Sequence, residues 1–295
     1  MKREDTKSWI SIPIVILIAF GLALAGSQGG VRVLDMPLFA FSVALAFVIQ
    51  WLAFIPAFIF QTEKFFDITG SITYITVTLL AVLLSGTADA RAYLLLALVV
   101  IWALRLGSFL FTRIYKSGKD ERFDAIKPSF PRFLMTWTLQ GLWVSFTLAT
   151  ALAAITSRTK LPLGGFAIAG LLVWLLGFGI EIVADRQKSK FRANPDNKGK
   201  FIHTGLWCWS RHPNYFGEIV LWLGVAIIAL PILQGWQWLT LISPLFVFLL
   251  LTRISGIPML EKRADEKWGG QKDYEDYKAS TSVLVPLPPR DKDES

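Results

Sequence analysis

Apolar blocks of membrane-spanning length run almost end to end through this chain, and they leave few folds open. They are Trp9–Ala25, Pro37–Phe60, Ile68–Ser85, Tyr93–Phe111, Phe133–Thr156, Leu163–Ala184, Phe216–Leu233 and Trp236–Thr252. A helix needs about 20 mostly apolar residues to cross the hydrocarbon core. The membrane interior admits only helices and closed barrels, because every backbone N–H and C=O must be paired internally. The blocks also lack the polar stripe that a buried soluble helix keeps. Only Gln234 and Gly235 separate the last two, which predicts a tight hairpin there. Hydrophobic residues make up 54% of the chain and charged residues 18%, against about 25% charged in a soluble domain. The expected fold is an all-α integral membrane bundle of about eight transmembrane helices (roughly seven to ten), followed by a short cytoplasmic C-terminal helix and tail.

Charge supplies the orientation. Lys and Arg gather in the N-terminal segment (Lys2, Arg3, Lys7), at Lys64, and within 113–132, 186–211 and 253–292. The opposite loops hold only Arg32, Arg91, Arg158 and Lys160. An even number of spans puts all the rich segments on one side, which the positive-inside rule makes cytoplasmic, together with both termini. The net charge of +8 is thereby accounted for by topology, and no nucleic-acid partner is expected. The first block is followed by Gly26–Gly30, a poor small-x-small cleavage pattern, so it reads as a retained span. The single cysteine, Cys208, excludes an internal disulfide, and with only His203 and His212 no metal site is expected.

Two segments exceed what topology requires. Gly205-Leu-Trp-Cys-Trp-Ser-Arg-His-Pro-Asn-Tyr-Phe-Gly-Glu218 leads into the seventh span. Pro213 suits the first turn of a helix, so Asn214 and Glu218, four apart, share a face beside Tyr215. Arg211 and His212 then sit at the free N–H groups of the helix start, which attract anions. Trp207 and Trp209 read most simply as interfacial anchors, whereas Glu218 at an apolar helix start calls for a partner. Upstream, Glu181, Asp185, Lys188 and Arg192 form one polar stripe, either an ion-pair ladder or a ligand face. Arg105 lies more than a turn inside the fourth block; it either snorkels or pairs with a carboxylate or phosphate. Arg113, Tyr115 and Gly118-Lys-Asp-Glu-Arg-Phe123 follow it. In the tail, Arg253 precedes an amphipathic stretch containing Glu261, and Tyr274 and Tyr277 suggest an aromatic clamp.

Ser210-Arg-His-Pro-Asn-Tyr-Phe-Gly-Glu218, Gly256-Ile-Pro-Met-Leu-Glu261, and Trp102-x-x-Arg105-Leu-Gly107 with Gly118-x-Asp120-x-Arg122 resemble the bacterial, DUF1295-like membrane proteins of the steroid 5-alpha-reductase superfamily. The resemblance covers Asp67 to Pro286. With the apolar blocks, it leads us to expect one membrane domain over 1–295, with N-terminal spans 1–92, a reductase-like region 93–286 and a charged tail 287–295, in a bacterial inner membrane. It also implies an NADPH-dependent reductase of a C=C bond conjugated to a carbonyl, acting on a lipid-soluble substrate that enters from the bilayer. The cofactor residues expected from motif and charge are Arg105, Arg113, Asp120, Arg122, Asp185, Lys188, Arg192, His212, Asn214, Tyr215, Glu218, Arg253 and Glu261.

The catalytic residues are less well matched. Mammalian steroid enzymes use a glutamate and a tyrosine in earlier spans to polarise the carbonyl. Here Trp102 stands at the tyrosine position, and the acid has no firm counterpart. Asp67 at the start of the third span, with Tyr74 two turns further in, is the best placed, and Glu218 and Glu63 follow it. Asp67 equally suits a helix first turn on dipole grounds alone. The rival from another class is an S-adenosylmethionine-dependent membrane methyltransferase of the isoprenylcysteine or phospholipid type, which shares Arg-His-Pro-x-Tyr-x-Gly. Asn214, and Glu218 directly after Gly217, favour the reductase. A transporter or lipid-binding scaffold is a third reading, but the polar residues gather at one face and not at the midplane of broken helices.

Overall fold

The computed structural model describes residues 3–117 and 120–289. Gly118 and Lys119, the Arg113 side chain and residues 290–295 of the tail lie outside the described residues. Among the described residues the protein is an all-α integral membrane fold, with 8 helical segments long and apolar enough to span a bilayer. The α-helices are α1 (Arg3–Gly26), α2 (Leu38–Ile59), α3 (Phe66–Leu84), α4 (Ala90–Ser117), α5 (Phe130–Thr156), α6 (Gly165–Ala193), α7 (Pro213–Ala229), α8 (Ile242–Leu249), α9 (Ile257–Trp268) and α10 (Lys272–Ser280). A short hairpin, β1 (Arg32–Val33) with β2 (Met36–Pro37), turns the chain between α1 and α2.

Each expected block holds one span, but α4 and α6 run well past their apolar parts, to Ser117 and Ala193. Hydropathy reports the membrane-facing stretch, whereas the helix continues wherever polar residues still favour it. The eighth span is not the uniform helix expected over Trp236–Thr252. It opens as a 3-10 helix at Gly235–Leu241, becomes α8, and ends in a π turn at Leu250–Ile254. Gly235 turns the chain with φ +51°, and the Gln234 and Gln237 side chains cap the entry reciprocally. Pro244 cannot donate to the Thr240 carbonyl; that carbonyl accepts the Thr150 hydroxyl at 2.6 Å instead. The tail holds two helices where one was expected, because Gly269 and Gly270 (φ +80°) break it between α9 and α10.

The chain divides into two compact units, Met1–Ile168 with Val225–Ser243, and Ala169–Gly224 with Pro244–Ser295. In the first, α5 is the central post, packing against α1, α2 and α3, and every residue from Thr147 to Thr156 is buried. Its small, alanine-rich face allows close approach, and several polar contacts hold its neighbours to it. Trp51 Nε1 donates to Thr138 at 3.1 Å, Gln140 Nε2 to the Phe66 carbonyl at 3.1 Å, and Ser243 to the Thr147 carbonyl at 2.5 Å. Between α2 and α3, Gln50 Nε2 donates to Thr73 at 2.7 Å. An aromatic cluster of Phe54, Phe66, Phe123, Phe133 and Trp137 closes one end.

Beside that cluster lies the buried Glu63, expected as a reserve catalytic acid. Its carboxylate accepts the Asp120 backbone N–H at 2.9 Å and is ion-paired with Lys127. Burial pushes the Glu63 carboxyl up, but Lys127 and the Asp120 N–H outweigh it and hold the group below its ordinary value. Glu63 is thus an ionised anchor for the chain between α4 and α5, a poor proton donor for chemistry.

In the second unit, α6 and α7 lie antiparallel with their backbones in contact at two levels. A Cβ on Gly177 would lie 2.5 Å from the Gly217 carbonyl oxygen, and a Cβ on Gly224 would lie 2.6 Å from that of Gly170. On each helix the two contact glycines lie seven residues apart, so both face the same seam. That seam sets the register of the polar residues just beyond it.

Candidate functional site

The site grows from the polar end of α6 and the loop that returns from it. Trp207 is buried, and its Nε1 donates to the Ala184 carbonyl at 3.0 Å. The Lys188 ammonium lies 4.3 Å over the same ring, a cation–π contact. Gln187 accepts the Leu206 N–H at 2.9 Å. Gly205, at φ +65°, makes the turn where a side chain would strike Gln187. Trp207 therefore anchors the loop to α6, deeper than the interfacial role read from sequence, while Trp209 is 46% exposed.

At the start of α7 three polar contacts converge. Asn214 Nδ2 donates to Asp185 at 3.2 Å. The Glu261 carboxylate, on α9, receives His212 Nε2 at 2.8 Å on one oxygen and the Arg211 guanidinium at 2.7 Å on the other. His212 stacks on Tyr215 with the rings 5.7 Å apart and 11° from parallel. Burial pushes the His212 imidazole down and the Glu261 carboxylate only partly offsets this, so the ring is neutral at pH 7. A neutral ring that donates from Nε2 carries a lone pair on Nδ1. That atom is buried with no hydrogen-bond partner.

Arg211, His212 and Glu261 border a cavity of about 330 Å³ between the end of α6, the 194–212 loop and the tail helices. Its cations are Lys188, Arg192, Lys200, Arg211, Arg263 and Lys267. Its one carboxylate, Glu261, is already engaged by Arg211 and His212. Aromatic walls come from Phe201, Trp207, Trp268, Tyr274 and Tyr277, and both tyrosines pack on the Phe201 ring at 5.3 and 5.4 Å. Such a cavity attracts phosphates through its guanidinium and ammonium groups and offers planar rings a stacking surface. The unpartnered His212 Nδ1 adds an acceptor for a ligand N–H or O–H.

The expected cofactor residues divide between the units. Lys188, Arg192, His212 and Glu261 line the cavity. Asp185, Asn214 and Tyr215 contact one another or His212 just behind it, with Glu218 one turn into α7. Arg253 lies in the π turn, exposed and away from the cavity lining. In the first unit, Arg105 rests 5.5 Å over the Phe109 ring, Asp120 is ion-paired with Arg122, and Tyr74 meets Trp102 edge-on at 5.1 Å. Asp67 occupies the first turn of α3. Sequence reasoning missed Lys200, Phe201, Arg263 and Lys267. Their signal was a basic–aromatic mixture in two segments, at Lys198–His203 and Lys262–Trp268, which only the tertiary fold brings together.

Fold and site together define a multi-pass membrane protein with a basic, aromatic-walled cavity in its polar C-terminal part. A family model described as "Protein of unknown function (DUF1295)" matches residues 53–281. The chain belongs to this family, within the steroid 5-alpha-reductase superfamily. It is 29% identical over 120 residues to "Steroid 5-alpha-reductase DET2" of Gossypium hirsutum, covering 41% of this chain and 42% of that one. It is 30% identical over 172 residues to "3-oxo-5-alpha-steroid 4-dehydrogenase 1" of Rattus norvegicus, covering 55% and 59%. A shorter match, 31% over 90 residues, joins it to "Probable O-methyltransferase ustE" of Ustilaginoidea virens, covering 28% and 32%. The chain thus aligns with about two-fifths to three-fifths of the length of the two steroid-enzyme relatives. No solved structure matches it significantly.

Proposed function

We propose that this protein is an NADPH-dependent membrane reductase of the C=C bond in an α,β-unsaturated carbonyl compound. The observation that carries the reading is the cavity with six cations, one engaged carboxylate and aromatic walls, in a chain similar to steroid reductases. Phosphates suit Lys188, Arg192, Arg211 and Arg263, an aromatic ring suits the Phe201–Tyr277 wall, and Asn214 and Glu218 carry the inner part of the ligand. Arg105, Arg113, Asp120, Arg122 and Arg253 remain proposed second contributors. Bound NADPH supplies hydride to the β-carbon. An acid, Asp67 with help from Tyr74, hydrogen-bonds the carbonyl oxygen where negative charge develops. The substrate is a flat, lipid-soluble enone that arrives through the bilayer, and 3-oxo-4-ene steroids are the first compounds to assay.

NADPH is expected to raise the melting temperature of the detergent-purified protein, and NADH to do so far less, because the extra phosphate meets the cation cluster. Asn214→Ala or Glu218→Gln should weaken that shift while the protein still melts cooperatively. The alternative, a methyltransferase, is favoured by the Arg211-His-Pro-x-Tyr-x-Gly217 run and by the O-methyltransferase match. A thermal shift with S-adenosylmethionine and none with NADPH would transfer the assignment to it.

In this proposal the basic segments and both termini face the cytoplasm. After replacement of Cys208 by serine, cysteine at Thr159 should react with a membrane-impermeant thiol reagent applied outside, and cysteine at Asn197 should not. The reverse labelling pattern would invert the orientation.

A further inference from the structure

The segment after α10 does not leave the protein. From Thr281 to Leu287 it runs beside the 209–211 stretch, and two backbone hydrogen bonds join the two. The Arg211 N–H donates to the Ser282 carbonyl at 2.8 Å, and the Leu287 N–H to the Trp209 carbonyl at 3.0 Å. Between them the Ser210 hydroxyl donates to the Leu284 carbonyl at 2.8 Å and accepts the His212 N–H at 3.1 Å. Ser210 is wholly buried. Val283, Val285 and Leu287 point outward, at 41%, 47% and 51% exposure, and alternate with the less exposed Ser282, Leu284 and Pro286. At the near end of the same loop the Tyr277 hydroxyl donates to the Trp207 carbonyl at 2.7 Å.

We infer that residues 281–287 act as a strap, with Ser210 as its positioning residue, that holds the backbone of Arg211 and His212 so that both side chains reach Glu261 and the cavity. Irregular backbone needs partners for its N–H and C=O groups. Here the Trp209 and Ser210 N–H groups donate to the Leu206 carbonyl within the loop, whereas the Trp209 carbonyl and the Arg211 N–H find their partners in the strap. One buried hydroxyl ties that strap to the N–H of His212. Ser210 itself touches no ligand. It acts through its two neighbours, and the consequence for NADPH rests on the reductase reading above.

The test uses full-length protein, Ser210→Ala, Ser210→Thr, Leu287→Pro and a chain ending at Ser280. Two quantities are read: NADPH affinity, and hydrogen exchange of the 207–213 amides without nucleotide. Ser210→Ala is expected to weaken NADPH about tenfold, and Ser210→Thr, which keeps the hydroxyl, to restore it. Leu287→Pro, which deletes only the N–H bonded to Trp209, should weaken binding by a smaller factor. In the Ser280-terminated chain the Arg211 and His212 amides should exchange at least about tenfold faster, while α6 and the body of α7 keep their protection. Unchanged exchange in that chain overturns the strap, and so does unchanged NADPH affinity in Ser210→Ala despite faster exchange. Loss of protection throughout α6 and α7 also overturns it, since the segment would then be a general stabiliser. Absence of NADPH binding by the unaltered protein would fault the reductase reading; faster exchange confined to 207–213 would still support the strap.

Discussion

Gly177→Leu is expected to abolish recovery of folded protein, whereas Gly179→Leu, on the same helix, should be recovered nearly as well as the unaltered chain. The two positions are two residues apart in α6 and equally apolar in setting. They differ in what a side chain would meet. At Gly177 a Cβ lies 2.5 Å from the Gly217 carbonyl oxygen and 2.5 Å from the Leu221 nitrogen, both backbone atoms that cannot rotate away. At Gly179 nothing lies within 4 Å. Overpacking a well-filled contact costs about 1–3 kcal/mol when side chains can adjust, and more when they cannot. With a folding stability of about 5–15 kcal/mol to draw on, a leucine between two abutting helix backbones should consume most of it. Gly177→Ala should fall between, with a lowered melting temperature and weaker nucleotide binding, because Asp185 and Asn214 lie on the same two helices beyond the glycine seam. The measurement is the monodisperse yield and melting temperature in detergent. A stable Gly177→Leu protein would mean that the helices can separate at little cost.

That contrast also marks how far sequence reasoning reached. The spans were legible because a bilayer imposes a length and an apolar composition that survive any packing arrangement. Helix ends were legible in part: the Glu181–Asp185–Lys188–Arg192 stripe carried α6 past its apolar block to Ala193, whereas nothing marked the end of α4 at Ser117, since helix propensity does not stop at the membrane boundary. The irregular eighth span escaped because its causes, the Gln234–Gln237 caps and the Thr150 hydroxyl on the Thr240 carbonyl, are partly long-range. In the site, Asp185, His212, Asn214 and Glu261 came one by one from motifs near helix ends, but their pairing, Asn214 with Asp185 and His212 with Glu261, came only from the fold. Lys200, Phe201, Arg263 and Lys267 stayed hidden because a loop and a tail helix far apart in sequence supply them. Glu63 shows the converse error. A lone acid between two spans looked available for chemistry, and only the fold reveals Lys127 and the Asp120 N–H beside it.

The first acid candidate, Asp67, gives the other large effect. Asp67→Asn is expected to lower enone turnover by two or more powers of ten, about 2.7 kcal/mol of transition-state stabilisation, with NADPH affinity nearly unchanged. The second expectation follows from position. Every residue lining the basic cavity falls between Lys188 and Tyr277, and none belongs to α3. The first follows from the chemistry. As hydride reaches the β-carbon, charge builds on the carbonyl oxygen, and a carboxylic acid stabilises it far better than an amide does. Tyr74 provides the internal comparison. It lies seven residues along α3 from Asp67, so on the same face, and its ring meets Trp102 edge-on at 5.1 Å. If Tyr74 supplies the stronger hydrogen bond, Tyr74→Phe should show the hundredfold loss and Asp67→Asn a smaller one. If the two share the oxygen, the double variant should be little worse than either alone, since residues acting as a unit are not additive. Normal turnover by Asp67→Asn would remove Asp67 from the mechanism and leave Glu218 as the next carboxyl to replace. Glu63, held ionised by Lys127, is not expected to take its place.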